Sequence, residues 1–334
     1  MQAMHMSRRH LVLGAALALL AGPARGADSV RLVLNYIPTA DHAPYYFAKA
    51  QGWYQQRGLD VTIEVGKGSA YSAQAVGSGA APFGIADLPT AMVARGKGAD
   101  LLAVMNVYAN SPQGFYWLKS SGISGPADFA GHSIGNPPGD AARIMWPAFA
   151  RSAKLDPASV RFVNIVPSAK IGSLRSRAVD IITDFYNEHD LKLRTFGADL
   201  GFQSWSGMGI NLYGNSLLTS HAFAASHPDA TQAFVQVSQR AFAACVADVE
   251  PCLDALFAAA SGLDRGVQRD QWNRIKELMR SPVGSTVAFG AFDLQRVGTD
   301  EEMVRTFIGL DAPFEPGDIA SNAMLDPTIK LPPE

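Results

Sequence analysis

The segment DHAPYYFAKAQGWYQQRGLDV, residues 41–61, reads as a helix running into a strand, with His42, Tyr45 and Tyr46 in the helix's first turn. An ordinary surface helix carries charge there. An imidazole can instead donate or accept one hydrogen bond, and a tyrosine offers a flat wall with a polar tip. Other strand-to-helix turns have the same character: NYIPTADHA around Asn35 and Tyr36, VGKGSAYSA around Ser69, GIADLPTA around Asp87 and Thr90, GNPPGDAAR around Asn136 and Asp140, and VPSAKIGS around Ser168. Each sets small, hydroxyl or amide residues where a helix begins, so that free backbone N–H groups favour a polar or anionic ligand atom. Taken singly, Ser69, Asp87, Thr90, Asp140 and Ser168 fit plain helix N-caps as well. His42 equally fits a cap or a bond to a nearby loop. Tyr36, Tyr45, Tyr46, Tyr71, Trp117, Tyr186, Trp205 and Tyr213 fall largely near element ends, where rings either stack on a flat ligand or pack in the core.

Catalytic patterns do not emerge. The sequence has no G-x-S-x-G elbow, P-loop or G-x-G-x-x-G, and His42, His132, His189, His221 and His227 are scattered without metal-ligand spacing. Thr183-Asp184 and His189-Asp190 lie near each other, but solvated helix-cap roles account for them. The expectation is a binding protein, with no enzymatic activity, cofactor or metal. A net charge of −2 with no basic run sets nucleic acid aside as a partner.

The elements that must position these turns alternate. Strands are expected at 30–37, 59–66, 82–88 and 101–108, separated by helices, which predicts a parallel sheet covered on both faces. In such sheets ligands bind beyond the carboxyl ends of the strands. A second α/β unit follows, with strands ending at HSIGN and at 160–166 and 181–186, and a helix whose first turn carries Pro137 and Pro138. The stretch 211–220 returns the chain to the first unit, and Ala-rich helices follow from His221. The expected organisation is lobe 1 at 27–115, lobe 2 at 116–211, and a return to lobe 1 at 212–334, a hinged design. The 334 residues are too many for one simple core.

Residues 1–26 read as a cleaved export signal: Arg8 and Arg9, an apolar run from Leu11 to Ala21, then the small-residue site Ala24-Arg25-Gly26. SRRHL also resembles the twin-arginine signal, with a general secretion signal as the other reading. Its removal takes away three arginines and no acids, moving the net charge to −5. The two cysteines, Cys245 and Cys252, flank Pro251. On one straight helix they would stand about 10 Å apart, too far to bond. A helix break at the proline favours a bridge in an oxidising compartment.

The order of motifs resembles the periplasmic binding proteins for thiamine-pyrimidine precursors, sulfonates, taurine and nitrate. The carriers are NYIPTADHAPYYFAKAQGWYQQRGLDVTIEVG, PFGIAD, DFAGHSIGNPPGDAAR and SLRSRAVDIITDF, over roughly 30–220. The resemblance implies a type II periplasmic binding protein fold: two α/β lobes around a ligand cleft, with a helical C-terminal part. It implies a monomeric solute receptor that hands a small molecule to an inner-membrane ABC permease. Carried onto this chain, the implied ligand contacts are Asn35, Tyr36, His42, Tyr46, Ser69, Asp87, Asn136, Asp140, Ser168, Asp184 and Tyr186, with His42 and Tyr46 facing the cleft. The histidine-alanine helix start favours a pyrimidine-like heterocycle. An organic anion would instead need Lys67, Arg143 and Lys170. The family's glycine in L-x-x-G-x-V-D is replaced around Ser176 and Arg177. A relative that synthesises the thiamine pyrimidine uses lysine-bound pyridoxal phosphate and a cysteine-rich motif, and this chain has two cysteines only. A sensor domain for a membrane receptor would share the same fold.

Overall fold

The computed structural model describes residues 28–280 and 287–331; the expected export signal at 1–26 lies outside them. The chain begins with β1 (Asp28–Val33), α1 (Ala43–Ala50), β2 (Leu59–Glu64), α2 (Ser69–Gly77), β3 (Phe83–Asp87), α3 (Leu88–Gly96) and β4 (Leu102–Asn106). β3 and β4 are buried at every position, as strands covered on both faces must be, whereas β2 begins with the alternation of an edge strand. The chain then leaves this sheet and builds β5 (Gln113–Leu118), β6 (Ser133–Asn136), α4 (Ala141–Ile144), α5 (Trp146–Ser152), β7 (Arg161–Asn164), α6 (Lys170–Arg175), β8 (Ile181–Phe185), α7 (His189–Phe196) and β9 (Leu200–Ser204). It returns through β10 (Asn215–Thr219) and ends in α8 (His221–Ser226), α9 (Pro228–Ala247), α10 (Glu250–Ala259), α11 (Arg265–Met279), α12 (Leu294–Phe307) and α13 (Pro316–Ile319).

Two five-stranded sheets result, ordered β2-β1-β3-β10-β4 and β7-β6-β8-β5-β9. Each is parallel except for one strand: β10 runs antiparallel between β3 and β4, and β5 antiparallel between β8 and β9. The chain therefore passes between lobes twice, at 107–112 and 205–214. The two passes hold each other: Gly214 N donates to Tyr108 O at 2.9 Å, and Ser111 N to Asn211 Oδ1 at 2.9 Å.

Several expectations change in detail. β5 runs through the expected lobe limit after residue 115, and all of it lies in the second sheet. Pro137 and Pro138 are not in a helix. The helix starts after Asp140, whose carboxylate accepts from Ala142 N at 2.9 Å, and it breaks at Met145 before α5. The cysteines do bond: α9 ends at Ala247, α10 restarts at Glu250 with Pro251 in its first turn, and the Cα atoms of Cys245 and Cys252 come within 5.9 Å. Among the described residues no helix is long and apolar enough to cross a membrane.

Packing forms three buried clusters, the smallest of them in lobe 2 around Tyr116, Leu174 and Ile182. α9 lies on the first sheet, where Phe234 stacks between Phe83 and Tyr54 at 4.1 and 5.0 Å. A second cluster is continuous across both lobes, joining Ala86, Met92 and Leu218 to Phe115, Trp146, Phe149 and Trp205.

Candidate functional site

The carboxyl ends of β1, β2, β6, β7 and β8 converge on a cleft between the lobes, with about 530 Å³ of empty space counting its open mouth. Lobe 1 contributes Asn35, Tyr36, Thr39, Asp41, Gly68 and Ser69. Lobe 2 contributes Pro137, Asp140, Ala141, Pro167, Lys170, Asp184, Phe185, Asn187 and Glu188. The lobes touch across it. Tyr36 Oη donates to Pro167 O at 3.2 Å, and Ala70 N donates to Gly139 O at 3.4 Å. Gly68 adopts φ +118°, and a Cβ there would lie 2.6 Å from Gly139 O, so only glycine allows the approach.

The lobe 2 wall is an ionic cluster. Asp184 takes Lys192 Nζ at 2.6 Å and Lys170 Nζ at 3.4 Å, and Lys170 also reaches Asp140 at 3.0 Å. All of these but Asp140 are buried. Burial works against the Asp184 charge, but the two ammonium groups outweigh it and hold its carboxyl below the usual range. Burial likewise opposes the Lys170 charge, and Asp140 and Asp184 overcome it, raising its pKa. Glu188, beside them, receives Gln271 Nε2 from α11 at 2.7 Å. Burial pushes its carboxyl up to about 7, with Lys192 opposing and Asp184 and Asp41 adding to the rise. Burial and the Asp184 charge keep the Tyr36 phenol protonated.

The lobe 1 wall is a neutral relay behind one acid. Thr39 N donates to His42 Nδ1 at 3.2 Å, which leaves Nε2–H to donate to Asn35 Oδ1 at 3.0 Å. Asn35 Nδ2 passes to Asn215 Oδ1 at 3.0 Å, and Asn215 Nδ2 to Asp41 Oδ2 at 3.3 Å. Thr39 Oγ1 donates to Asp41 Oδ1 at 2.5 Å. Burial lowers the His42 pKa against the opposing Asp41 charge, so the ring stays neutral. His42 thus spends both nitrogens inside the protein and orients Asn35, which itself lines the cleft.

Of the residues expected from sequence, Asn35, Tyr36, Ser69, Asp140 and Asp184 come together on the cleft. His42 does not face it; it stands behind Asn35. Tyr46 does not face it either, because it packs against the lobe 1 core, while Tyr45 is buried edge-on against Phe242 at 5.4 Å. Asp87 and Asn136 are buried outside the lining, and Ser168 is exposed. Tyr186 Oη instead takes Arg274 of α11 at 2.7 Å. Asp41, Asn187 and Glu188 were not anticipated. The visible signal was an acid in each of two strand-to-helix turns, TADHA and FYNEHD, which the sequence reading took into the helices that follow. Of the cations an anion would need, Lys67 is exposed over the Tyr71 ring, and Arg143 lies over Phe162 with a 2.5 Å bond to Asn164; Lys170 alone of the three lines the cleft. No cluster of three or more His, Cys, Asp or Glu suited to a metal occurs among the described residues.

Known proteins agree with this architecture. The family model described as NMT1/THI5 like matches residues 39–250. The riboflavin-binding protein RibY of Chloroflexus aurantiacus is 24% identical, the match covering 90% of this chain and 88% of that protein. The formylaminopyrimidine-binding protein of Halalkalibacterium halodurans is 22% identical over 80% of this chain and 82% of that protein. Among solved structures, the alkanesulfonate-binding protein SsuA of Xanthomonas axonopodis, bound to MOPS, superposes with a TM-score of 0.69 at 16% identity, covering 89% of this chain and 99% of that one. The fold is that of the periplasmic binding proteins.

Proposed function

The chain belongs to the NMT1/THI5-like family, and on that premise we propose that it is the periplasmic solute receptor of an ABC importer, closing on a flat nitrogen heterocycle of the thiamine-pyrimidine type. The observation that carries this reading is the charge of the cleft. Four carboxyl groups, Asp41, Asp140, Asp184 and Glu188, line it; Lys170 is the one ammonium in the lining and is held by Asp140 and Asp184, and the buried Lys192 outside the lining also pairs with Asp184. Such walls accept hydrogen bonds and favour a neutral or cationic solute rich in N–H donors, which an aminopyrimidine is and a sulfonate or nitrate is not. Tyr36 and Phe185 supply ring surface for the heterocycle. Asn35 and Asn187 fix its orientation, Asn187 through an Oδ1 that is buried without a partner. The formylaminopyrimidine-binding and riboflavin-binding relatives, both named for flat heterocycles, support the class.

Export fits the Cys245–Cys252 disulfide, since oxidising compartments preserve such bonds. The receptor works as a monomer that docks on an inner-membrane permease and binds no nucleic acid. It catalyses nothing. The synthase-like chemistry of a relative would need a cysteine-rich motif, and the two cysteines of this chain are bonded to each other.

Thermal unfolding against a solute panel tests the reading. A ligand at about 100 times its dissociation constant adds roughly 2.7 kcal/mol. Formylaminopyrimidine, aminomethylpyrimidine or riboflavin is expected to raise the melting temperature, and taurine, alkanesulfonates and nitrate to leave it unchanged. A shift with the anions alone would overturn the heterocycle and make Lys170 the anchor of an organic anion.

A further inference from the structure

The carboxyl groups of the cleft are not equally served. Lys170 holds Asp140 and Asp184, and Lys192 holds Asp184 as well. Lys192 turns to Glu188 only at its backbone oxygen, 3.2 Å away. The Glu188 carboxylate takes one hydrogen bond among the described residues, from the neutral Gln271 Nε2 at 2.7 Å. The oxygen of the same carboxamide receives Ala40 N in a long bond of 3.5 Å, next to Asp41. Gln271 is buried on α11, whose Trp272 and Ile275 belong to the lobe 1 core. Glu188 belongs to lobe 2. The bond between them therefore exists only while the lobes are together. The same approach brings two acids, Asp41 and Glu188, to one cleft.

We propose that closing the lobes takes up one proton from solvent, held on the Glu188 carboxyl, so that the receptor keeps a neutral solute more tightly in acid than in alkali. The inference rests on the two-lobe receptor reading above and adds a regulation of that same site. With the lobes apart, water hydrates the carboxylate, and its pKa is that of an ordinary glutamate, about 4.3. Closure exchanges that hydration for one amide donor, and desolvation favours the neutral form. The groups that face Glu188 from each neighbouring element do not reverse this. Asp41 ahead of α1 and Asp184 on β8 disfavour a further negative charge, while Lys192 of α7 and Lys170 of α6 oppose them but are spent on Asp184 and Asp140. Arg274 of α11 is spent on Asp190 and the Tyr186 hydroxyl. Burial keeps His42 and His189 neutral and the phenols of Tyr36, Tyr108 and Tyr116 protonated. With the lobes together Glu188 accordingly rises to about 7. The Gln271 carboxamide serves either form, since it can donate to a carboxylate or accept from a carboxylic acid. A group whose pKa is higher closed than open favours closing as pH falls; the gain is complete below about 4.3 and lost as pH rises through about 7.

A covalent lock reads this without any solute. A Cβ at Gly139 of lobe 2 would stand 3.6 Å from the Cβ of Ala70 in lobe 1, a separation that suits a disulfide. With Ala70→Cys and Gly139→Cys combined and oxidised, the Glu188 carboxyl, followed by carbon-13 NMR, is expected to titrate near 7. In the unsubstituted protein without solute it is expected to titrate lower. An ordinary glutamate value in the locked protein, or the same value in both proteins, would overturn the proposal whether or not the chain is a receptor. Calorimetry on the unsubstituted protein reads the consequence. Riboflavin, whose ring is uncharged over this range, is expected to bind about tenfold more tightly at about pH 5.5 than at about pH 8, and Glu188→Gln to bind it equally at both. A wild-type affinity independent of pH would likewise overturn the proton uptake. No riboflavin binding at either pH would count against the heterocycle reading alone and leave the locked protein to decide.

Discussion

The lobes meet along two seams of opposite chemistry. In one, Phe115, Trp146, Phe149 and Trp205 of lobe 2 share a core with Ala86, Met92 and Leu218 of lobe 1, and Val297 and Val304 of α12 lie in the same cluster. In the other, α11 of lobe 1 faces α7 of lobe 2 through polar groups. Arg274 grips both oxygens of Asp190 at 2.8 and 3.0 Å, Arg194 pairs with Asp270, and Gln271 holds Glu188. Parting the first seam would return apolar surface to water at about 25 cal/mol per Å². Parting the second exchanges half-exposed ion pairs for hydration, and such pairs contribute about 0–1 kcal/mol each. The apolar seam is therefore expected to act as the pivot and the α11–α7 seam as the clasp. The clasp also reaches the solute, since Glu188 lies on the cleft and Tyr186 lies under Arg274, 5.0 Å from ring to guanidinium.

The contrast can be broken most forcefully at the pivot. Phe149→Ala is expected to cost about 3–5 kcal/mol and to lower the stability of both lobes in one urea transition; two separate transitions would show that the shared core does not couple them. A pH series probes the buried carboxyls. A carboxyl whose folded pKa is raised contributes stability that is full below its unfolded value and lost as pH rises through the folded value. With Glu188 at about 7, and Asp87 and Asp300 raised by burial in the same direction to the same value, the melting temperature should fall between about pH 5 and 7.5. Glu188→Gln should flatten that slope, on the order of 1–3 kcal/mol across the window, whereas Phe149→Ala should shift the whole curve without changing its shape. The smallest effect belongs to the clasp. Arg274→Ala is expected to cost about 1 kcal/mol of stability and to speed solute release. The wild-type release rate should itself rise with salt, and a rate insensitive to salt would remove the ion pairs from the gate.

Much of this fold could be read from alternation alone, because β1 to β4 and β6 to β8 each sit between helical patterns with short connections. β5 and β9 could not. QGFYWL is buried at all six positions and has no period to detect, and LGFQS follows a turn that a helix pattern runs into. The helix expected at Pro137 failed for a local reason: Asp140 caps three residues later, and the intervening turn makes the cleft wall. In the site, strand-to-helix turns pointed to the right regions, but not to which way a side chain turns within them. His42 has the chemistry of a ligand contact, yet Thr39 N and Asn35, both close in sequence, consume it. Lys170 lay among the alternatives because a lysine is placed by its counter-charges. Those are Asp140 and Asp184, 30 and 14 residues away, brought to it only by the folded sheet.

The contact of Gly68 with Gly139 also acts as a doorstop. It brings backbone to backbone at the cleft, so no side chain stands between the lobes at that point. A methyl group at Gly68 would be a spacer: the jaws would halt early, and the slot would widen towards bulkier, less planar cargo. A single hydrogen atom at that position thus keeps the two lobes within backbone hydrogen-bond reach of each other.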